Sequence, residues 1–123
     1  MSADSRRDDP VAFLPLGAVD FLILLMLARG DRHGYGIMQD VALHTTHTVR
    51  LEAGNLYRAI RRLLEDRLVE ESARRPAADD DERRRYYRLT PLGRRVVAAE
   101  AARLRTLVRL AESARVLRPE PAA

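Results

Sequence analysis

A mainly α-helical fold carrying one small β-hairpin (α+β) is predicted for this chain by three observations. Apolar residues recur at helical spacing through three segments of the first half. The period changes to two on either side of an aspartate-rich stretch at residues 76–82. A threonine–proline pair, Thr90-Pro91, then opens one long amphipathic segment.

The elements follow in order. Residues 1–13 are polar and aperiodic at their start and read as a disordered arm. From Leu16 to Ala28 nearly every residue except Asp20 is apolar, the pattern of a helix covered on more than one side. Gly30-Asp31 ends it. A second helix, Gly34 to Thr46, carries Ile37, Met38, Val41 and Ala42 on one face. A third, Gly54 to Asp66, buries Leu56, Ile60, Leu63 and Leu64. Leu68 to Arg74 and Arg84 to Leu89 read as paired strands, with Tyr87 and Leu89 on one face and Arg84, Tyr86 and Arg88 on the other.

Thr90 is an N-cap with proline at the first helical position. The helix it starts is expected to reach Leu117, about 40 Å at 1.5 Å per residue, before Pro119 and Pro121. Its stripe of Val97, Ala101, Leu104, Leu107, Val108, Ala111 and Ala114 has no other element left to cover it. Together with Leu16, Phe21 and Leu24 of the first helix, that stripe predicts a homodimer interface. Three helices, a hairpin and a long helix make a winged helix-turn-helix at residues 14–90, a C-terminal dimerisation helix at 91–118 and a disordered tail at 119–123.

Composition narrows the function. The chain has 123 residues, 46% hydrophobic and 33% charged, enough apolar content for a real core in one domain. It has no cysteine, and all 22 basic residues are arginine, so thiolate metal sites, cysteine nucleophiles and lysine chemistry are excluded. The net charge of +4 hints at an anionic partner. The start is polar, unlike a signal peptide, and the longest apolar run, Phe21 to Ala28, is short of the roughly 20 residues needed to span a bilayer. A cytoplasmic protein without a membrane partner is expected.

On a wheel of the third helix, Arg58, Arg61 and Arg62 fall opposite the apolar stripe, flanked by Asn55. Such a face suits the major groove: arginine donates in pairs to guanine or holds phosphates, and asparagine pairs with adenine. A solvated face with Arg61–Glu65 and Arg62–Asp66 pairs explains the same pattern. Arg83, Arg84, Arg85 and Arg88 at the base of the hairpin, with Arg74 and Arg75 opposite, suit a phosphate backbone. They equally suit neutralisation of Asp79, Asp80, Asp81 and Glu82. Asp40, His44 and His47 lie along one helix, but three ligands without a fourth partner do not make a metal site. Gly30, Gly34 and Gly36 match no phosphate-loop spacing. No nucleophile or carboxylate pair is assembled, so neither an enzyme nor a cofactor is expected. The alternative to a DNA-binding regulator is a winged helix that docks on protein.

His33-Gly34-Tyr35-Gly36-Ile37, Gly54-Asn55-Leu56-Tyr57-Arg58-Ala59-Ile60 and Arg85-Tyr86-Tyr87-Arg88-Leu89-Thr90-Pro91-Leu92-Gly93 together resemble the PadR family of bacterial transcriptional regulators, in its short branch with a single C-terminal helix. The resemblance covers residues 14–115. It implies a homodimer on a pseudo-palindromic duplex DNA operator, usually acting as a repressor and often released by an effector. By position it places Gly34 and Tyr35 beside the DNA backbone. Asn55, Tyr57, Arg58 and Arg61 or Arg62 fall on the recognition helix, and Arg83, Arg84 and Arg85 on the wing. The family usually has threonine at Asn55, Ser-Pro at Glu52-Ala53, and glycine at Arg67. A small apolar or aromatic effector between Leu16, Phe21, Leu104 and Val108, or a solid dimer core there, are both compatible with the sequence.

Overall fold

A computed structural model describes residues 8–73 and 84–121. The elements are a 3-10 turn (Pro10–Phe13), α1 (Ala18–Ala28), β1 (Arg32–His33), α2 (Gly34–His44), α3 (Ala53–Glu65), β2 (Val69–Glu71), β3 (Tyr86–Leu89) and α4 (Pro91–Ser113). The architecture is the expected one of helices with a small antiparallel sheet.

α1 lies at the centre because it is apolar on all sides: α2, α3, α4 and β3 each pack against it. Ile23 and Leu24 are fully enclosed, with Ile37 and Val41 from α2, Leu56, Ile60 and Leu63 from α3, and Val96 from α4. Each such side chain contributes about 1.5–3 kcal/mol by leaving water. Leu24 is 0% exposed and Val97 5% exposed. Both were expected at a dimer interface, and both belong to the protomer's own core. The chain's other helices supply the second covering surface that α1 requires.

Local chemistry sets the helix ends. His33 caps α2, its Nδ1 accepting from the Gly36 N–H at 3.0 Å. Thr45 closes that helix: its hydroxyl donates to the Val41 carbonyl at 2.7 Å and accepts from the Val49 N–H at 3.2 Å. At the end of α3, the Arg67 N–H reaches the Leu64 carbonyl (3.1 Å) and the Leu68 N–H the Leu63 carbonyl (3.0 Å). This double closure holds Arg67 at φ 61°, a left-handed conformation that favours glycine. Arg67→Gly is expected to stabilise the fold by up to about 1 kcal/mol, read as a higher denaturation midpoint at unchanged slope.

Three strands form, not two, in the order β1-β3-β2. Arg32 pairs with Tyr87 and His33 with Tyr86 on one side of β3, and Val69 pairs with Leu89 on the other. The extra strand corrects the alternation expected of a hairpin. Tyr86 is as buried as Tyr87, because the His33 ring meets its edge at 5.2 Å between centroids.

Thr90 caps α4 as expected, accepting from the Gly93 N–H at 2.9 Å, and it also donates to the Arg67 carbonyl at 2.6 Å. The helix ends at Ser113, short of Leu117, and Ala114 is its C-cap. The Val116 N–H folds back to the Ala111 carbonyl at 3.1 Å with Arg115 at φ 63°. This local closure ends the helix. At the other terminus, part of the expected arm is ordered: Asp9 caps the Pro10–Phe13 turn, which packs on α4. Phe13 and Leu14 rest against the core.

Glu100, buried on α4, is bound by Arg103. Hydrogen bonds from Arg103, the largest influence, hold its carboxyl below the usual glutamate range. A lowered folded-state pKa stabilises above the unfolded value and is lost as pH falls through the folded one. Unfolding measured from pH 7 downward should therefore show this contribution intact to about pH 4.5, the unperturbed value, and then declining.

Candidate nucleic-acid interface

The outward face of α3 carries Asn55, Tyr57, Arg58, Arg61 and Arg62, all exposed. They face out because Leu56, Ala59, Ile60 and Leu63 occupy the opposite side. The three guanidinium groups are not equivalent. Arg58 Nη2 donates to Asn55 Oδ1 at 2.7 Å, so the asparagine orients the arginine. Arg62 Nη2 donates to Asp20 Oδ1 of α1 at 2.7 Å. Arg61 has no side-chain partner among the described residues. The Arg62–Asp66 pair expected along the helix gives way to the pair with Asp20. The Asp20 side chain is only 17% exposed, so Arg62 is tied down more firmly than its neighbours.

Beside this face is a cleft of about 290 Å³ lined by His33, Gly34, Tyr35, Tyr57, Arg84, Arg85 and Tyr87. Three elements build it: the start of α2, the flank of α3 and the base of the wing. Gly34 permits the closure, since a Cβ there would lie 2.6 Å from the Tyr57 hydroxyl oxygen. Tyr35 and Tyr57 stay about half exposed at its mouth, at 51% and 47%. Arg84 stacks over the Tyr35 ring, 5.6 Å from its centroid, with Nη1 3.2 Å from His33 Nε2. Arg85 is 3.8 Å from Glu71. Burial, then the Glu71 carboxylate, pushes the Tyr87 hydroxyl up from its ordinary value, so it remains a protonated donor at neutral pH. Guanidinium groups, phenols and a helix N-terminus on one concave surface suit an oxyanion such as a phosphodiester.

Gly34, Tyr35, Asn55, Tyr57, Arg58, Arg61, Arg62, Arg84 and Arg85 thus lie on or beside one surface. Arg83 lies outside the described residues, as do Arg74, Arg75 and the acidic run 79–82. Asp20 and β1 were missed from the sequence. A two-residue strand has no readable period, and nothing local links Asp20 to Arg62. The His33 cap was missed as well, although its place just before the helix was a signal for it.

Of the expected dimer surface, Leu16, Phe21, Ala101, Leu104 and Ala111 are half-buried, while Leu107, Val108 and Ala114 are exposed. Asp40 is bound by Arg32 rather than by His44 or His47. Among the described residues no three metal-type side chains come together, and no helix is long and apolar enough to cross a membrane.

The model of the transcriptional regulator PadR-like family matches residues 23–99. An uncharacterised protein of Lysinibacillus sphaericus is 32% identical over 78 residues, 63% of this chain and 70% of that one. The fold is similar to that of a transcriptional regulator from Clostridium thermocellum, with a TM-score of 0.66 and 25% identity over 92% of this chain and 96% of that one. It is also similar to a PadR family transcription regulator from Clostridium difficile, with a TM-score of 0.66 and 24% identity over 79% of this chain and 97% of that one. Members of this family are transcription regulators, not enzymes; they bind DNA and act as dimers. With its family match across the helix-turn-helix, the sheet and the start of α4, this chain belongs to the PadR-like family of transcriptional regulators and is a DNA-binding regulator of transcription.

Proposed function

We propose that the protein binds a pseudo-palindromic operator as a homodimer and represses transcription from it. One observation carries this reading: the arginine face of α3 and the cleft at the wing base open onto the same surface. A recognition helix in the major groove presents Arg58, steadied by Asn55, to a guanine edge. Tyr35, Tyr57, Arg84 and Arg85 then meet the flanking phosphates, which position the helix without reading sequence. Arg61 is free to take a further phosphate or base.

The dimer would form along the half of α4 that leaves the head. Leu107, Val108 and Leu110 are 46%, 45% and 64% exposed there, an apolar surface that a second copy covers. A small apolar effector seated among Leu16, Phe21, Leu104 and Val108 would release the operator by altering this packing. A ligand series should then shift the melting temperature, and a series without shifts counts against it.

The test is fluorescence anisotropy with the protein's own upstream DNA and a scrambled duplex, at several salt concentrations. Tighter binding to the native fragment is expected. The slope of log K against log salt should be about −0.9 for each phosphate neutralised, several-fold steeper than −1 for a dimer. Equal, weak binding to both duplexes and to genomic fragments would instead favour docking on a protein.

A further inference from the structure

Between Leu16 and Ala28 the one charged residue is Asp20, in the first turn of a helix that is otherwise apolar. That helix packs on α3, and Asp20 Oδ1 accepts from Arg62 Nη2 at 2.7 Å. Arg62 has a nearer carboxylate in sequence, Asp66, one turn further along its own helix. The guanidinium turns to Asp20 instead. Asp66 is exposed, whereas the Asp20 side chain is only 17% exposed, and a charge pair strengthens as water is excluded from it.

The arginines on the α3 face are therefore of two kinds. Arg58 is held by Asn55 Oδ1 and Arg62 by Asp20 Oδ1, while Arg61 has no side-chain partner among the described residues. An oxygen bound to a guanidinium fixes the direction of its plane. A plane already fixed loses less freedom when it donates in pairs to a base edge. Arg62 gives only part of its set of N–H donors to Asp20. The Arg62 side chain is 58% exposed, so further donors remain for DNA. A pair with one partner so exposed adds little to stability; its main effect is on orientation. A mobile arginine in this place would turn to the nearest phosphate and hold any duplex equally well. Asp20 opposes that in two ways: it restrains the guanidinium, and its own charge repels phosphate.

We propose that Asp20 is a positioning residue for DNA recognition, holding Arg62 toward a base edge and away from the phosphates. It sharpens discrimination between duplexes at the expense of affinity for all of them. The inference rests on α3 being the recognition helix of the operator-binding reading above.

Anisotropy titrations of wild type, Asp20→Ala and Asp20→Asn test it, with thermal unfolding confirming that each is folded. The DNAs are the duplex that wild type binds most tightly, native or genomic, and a scrambled duplex, across a salt series. Asp20→Ala should bind the scrambled duplex about threefold or more tightly and steepen its salt slope by about 0.9 for each protomer, as Arg62 passes to a phosphate. The gap between the two DNAs should narrow by about tenfold. Asp20→Asn keeps an acceptor oxygen in place and should change both quantities in the same direction but by less; it also serves if Asp20→Ala does not fold. With Arg62→Ala already present, Asp20→Ala should narrow the gap no further. An unchanged gap and slope in the folded variants overturns the proposal, since a role in stability alone would not move them. A narrowing that persists without Arg62 overturns it too, because Asp20 would then act through the fold. Wild type that favours no duplex overturns the operator-binding reading itself, and this inference with it.

Discussion

Arg58→Ala is expected to weaken operator binding by roughly 30-fold or more while leaving the protein folded. A bidentate arginine–guanine contact contributes about 1–3 kcal/mol of discrimination, and a symmetric dimer makes it twice. Even the lower figure gives about 2 kcal/mol, with each 1.4 kcal/mol worth tenfold. The side chain is exposed, and its hydrogen bond within the protomer is to Asn55, also on the surface. Its loss therefore removes little stability. Titration of wild-type and variant protein against the native and scrambled duplexes decides the matter. Arg58→Ala should narrow the gap between the two DNAs, whereas loss of a phosphate contact would weaken both alike. Equal affinity of wild type and variant for the native duplex would remove Arg58 from the reading role. Arg62 makes the useful contrast. Its partner is Asp20 on α1, so Arg62→Ala also disturbs the fit between recognition helix and core.

Gly93→Ala is expected to be the most damaging single methyl in the described fold. A Cβ at Gly93 would lie 2.0 Å from the Leu68 carbonyl oxygen and 2.9 Å from its carbon, both backbone atoms. No rotamer change relieves such a clash. α4 would have to withdraw from the turn after α3, stretching the bonds from the Thr90 N–H to the Leu68 carbonyl (3.1 Å) and from the Thr90 hydroxyl to the Arg67 carbonyl (2.6 Å). A loss of about 3 kcal/mol or more follows, a large share of the roughly 5–15 kcal/mol that holds a domain together. Gly54→Ala is the matched control. A Cβ there meets nothing within 4 Å, and in a helix it should stabilise by about 0.5–1 kcal/mol. Denaturant unfolding of the two variants should thus move in opposite directions. A Gly93→Ala protein as stable as wild type would mean that α4 is free to shift on the head.

The features legible in the residues were those governed by neighbours within one or two turns. The inward stripe of Leu56, Ile60 and Leu63 required Asn55, Arg58, Arg61 and Arg62 to face outward, because helical periodicity is a local geometric rule. The start of α4 at Thr90-Pro91 was equally plain, since the cap satisfies an N–H only three residues away. The left-handed turn at Arg67 was implied only by the glycine that the family usually carries at that position. The order of helices, hairpin and long helix came from the same short-range signals.

Contacts between residues distant in the chain were decided by folding in three dimensions. Asp20 and Arg62 are 42 residues apart, and no local pattern joins them. β1 exists because β3 offers an unpaired edge to two residues that have no strand period of their own. Leu24 and Val97 are apolar wherever they are drawn; whether they face a partner or their own core depends on how α2, α3 and α4 close around α1. The cleft between Tyr35, Tyr57 and Arg84 is likewise assembled from three separate elements. Hydrophobicity says that a side chain leaves water, while only the packing of non-adjacent elements says what it meets there.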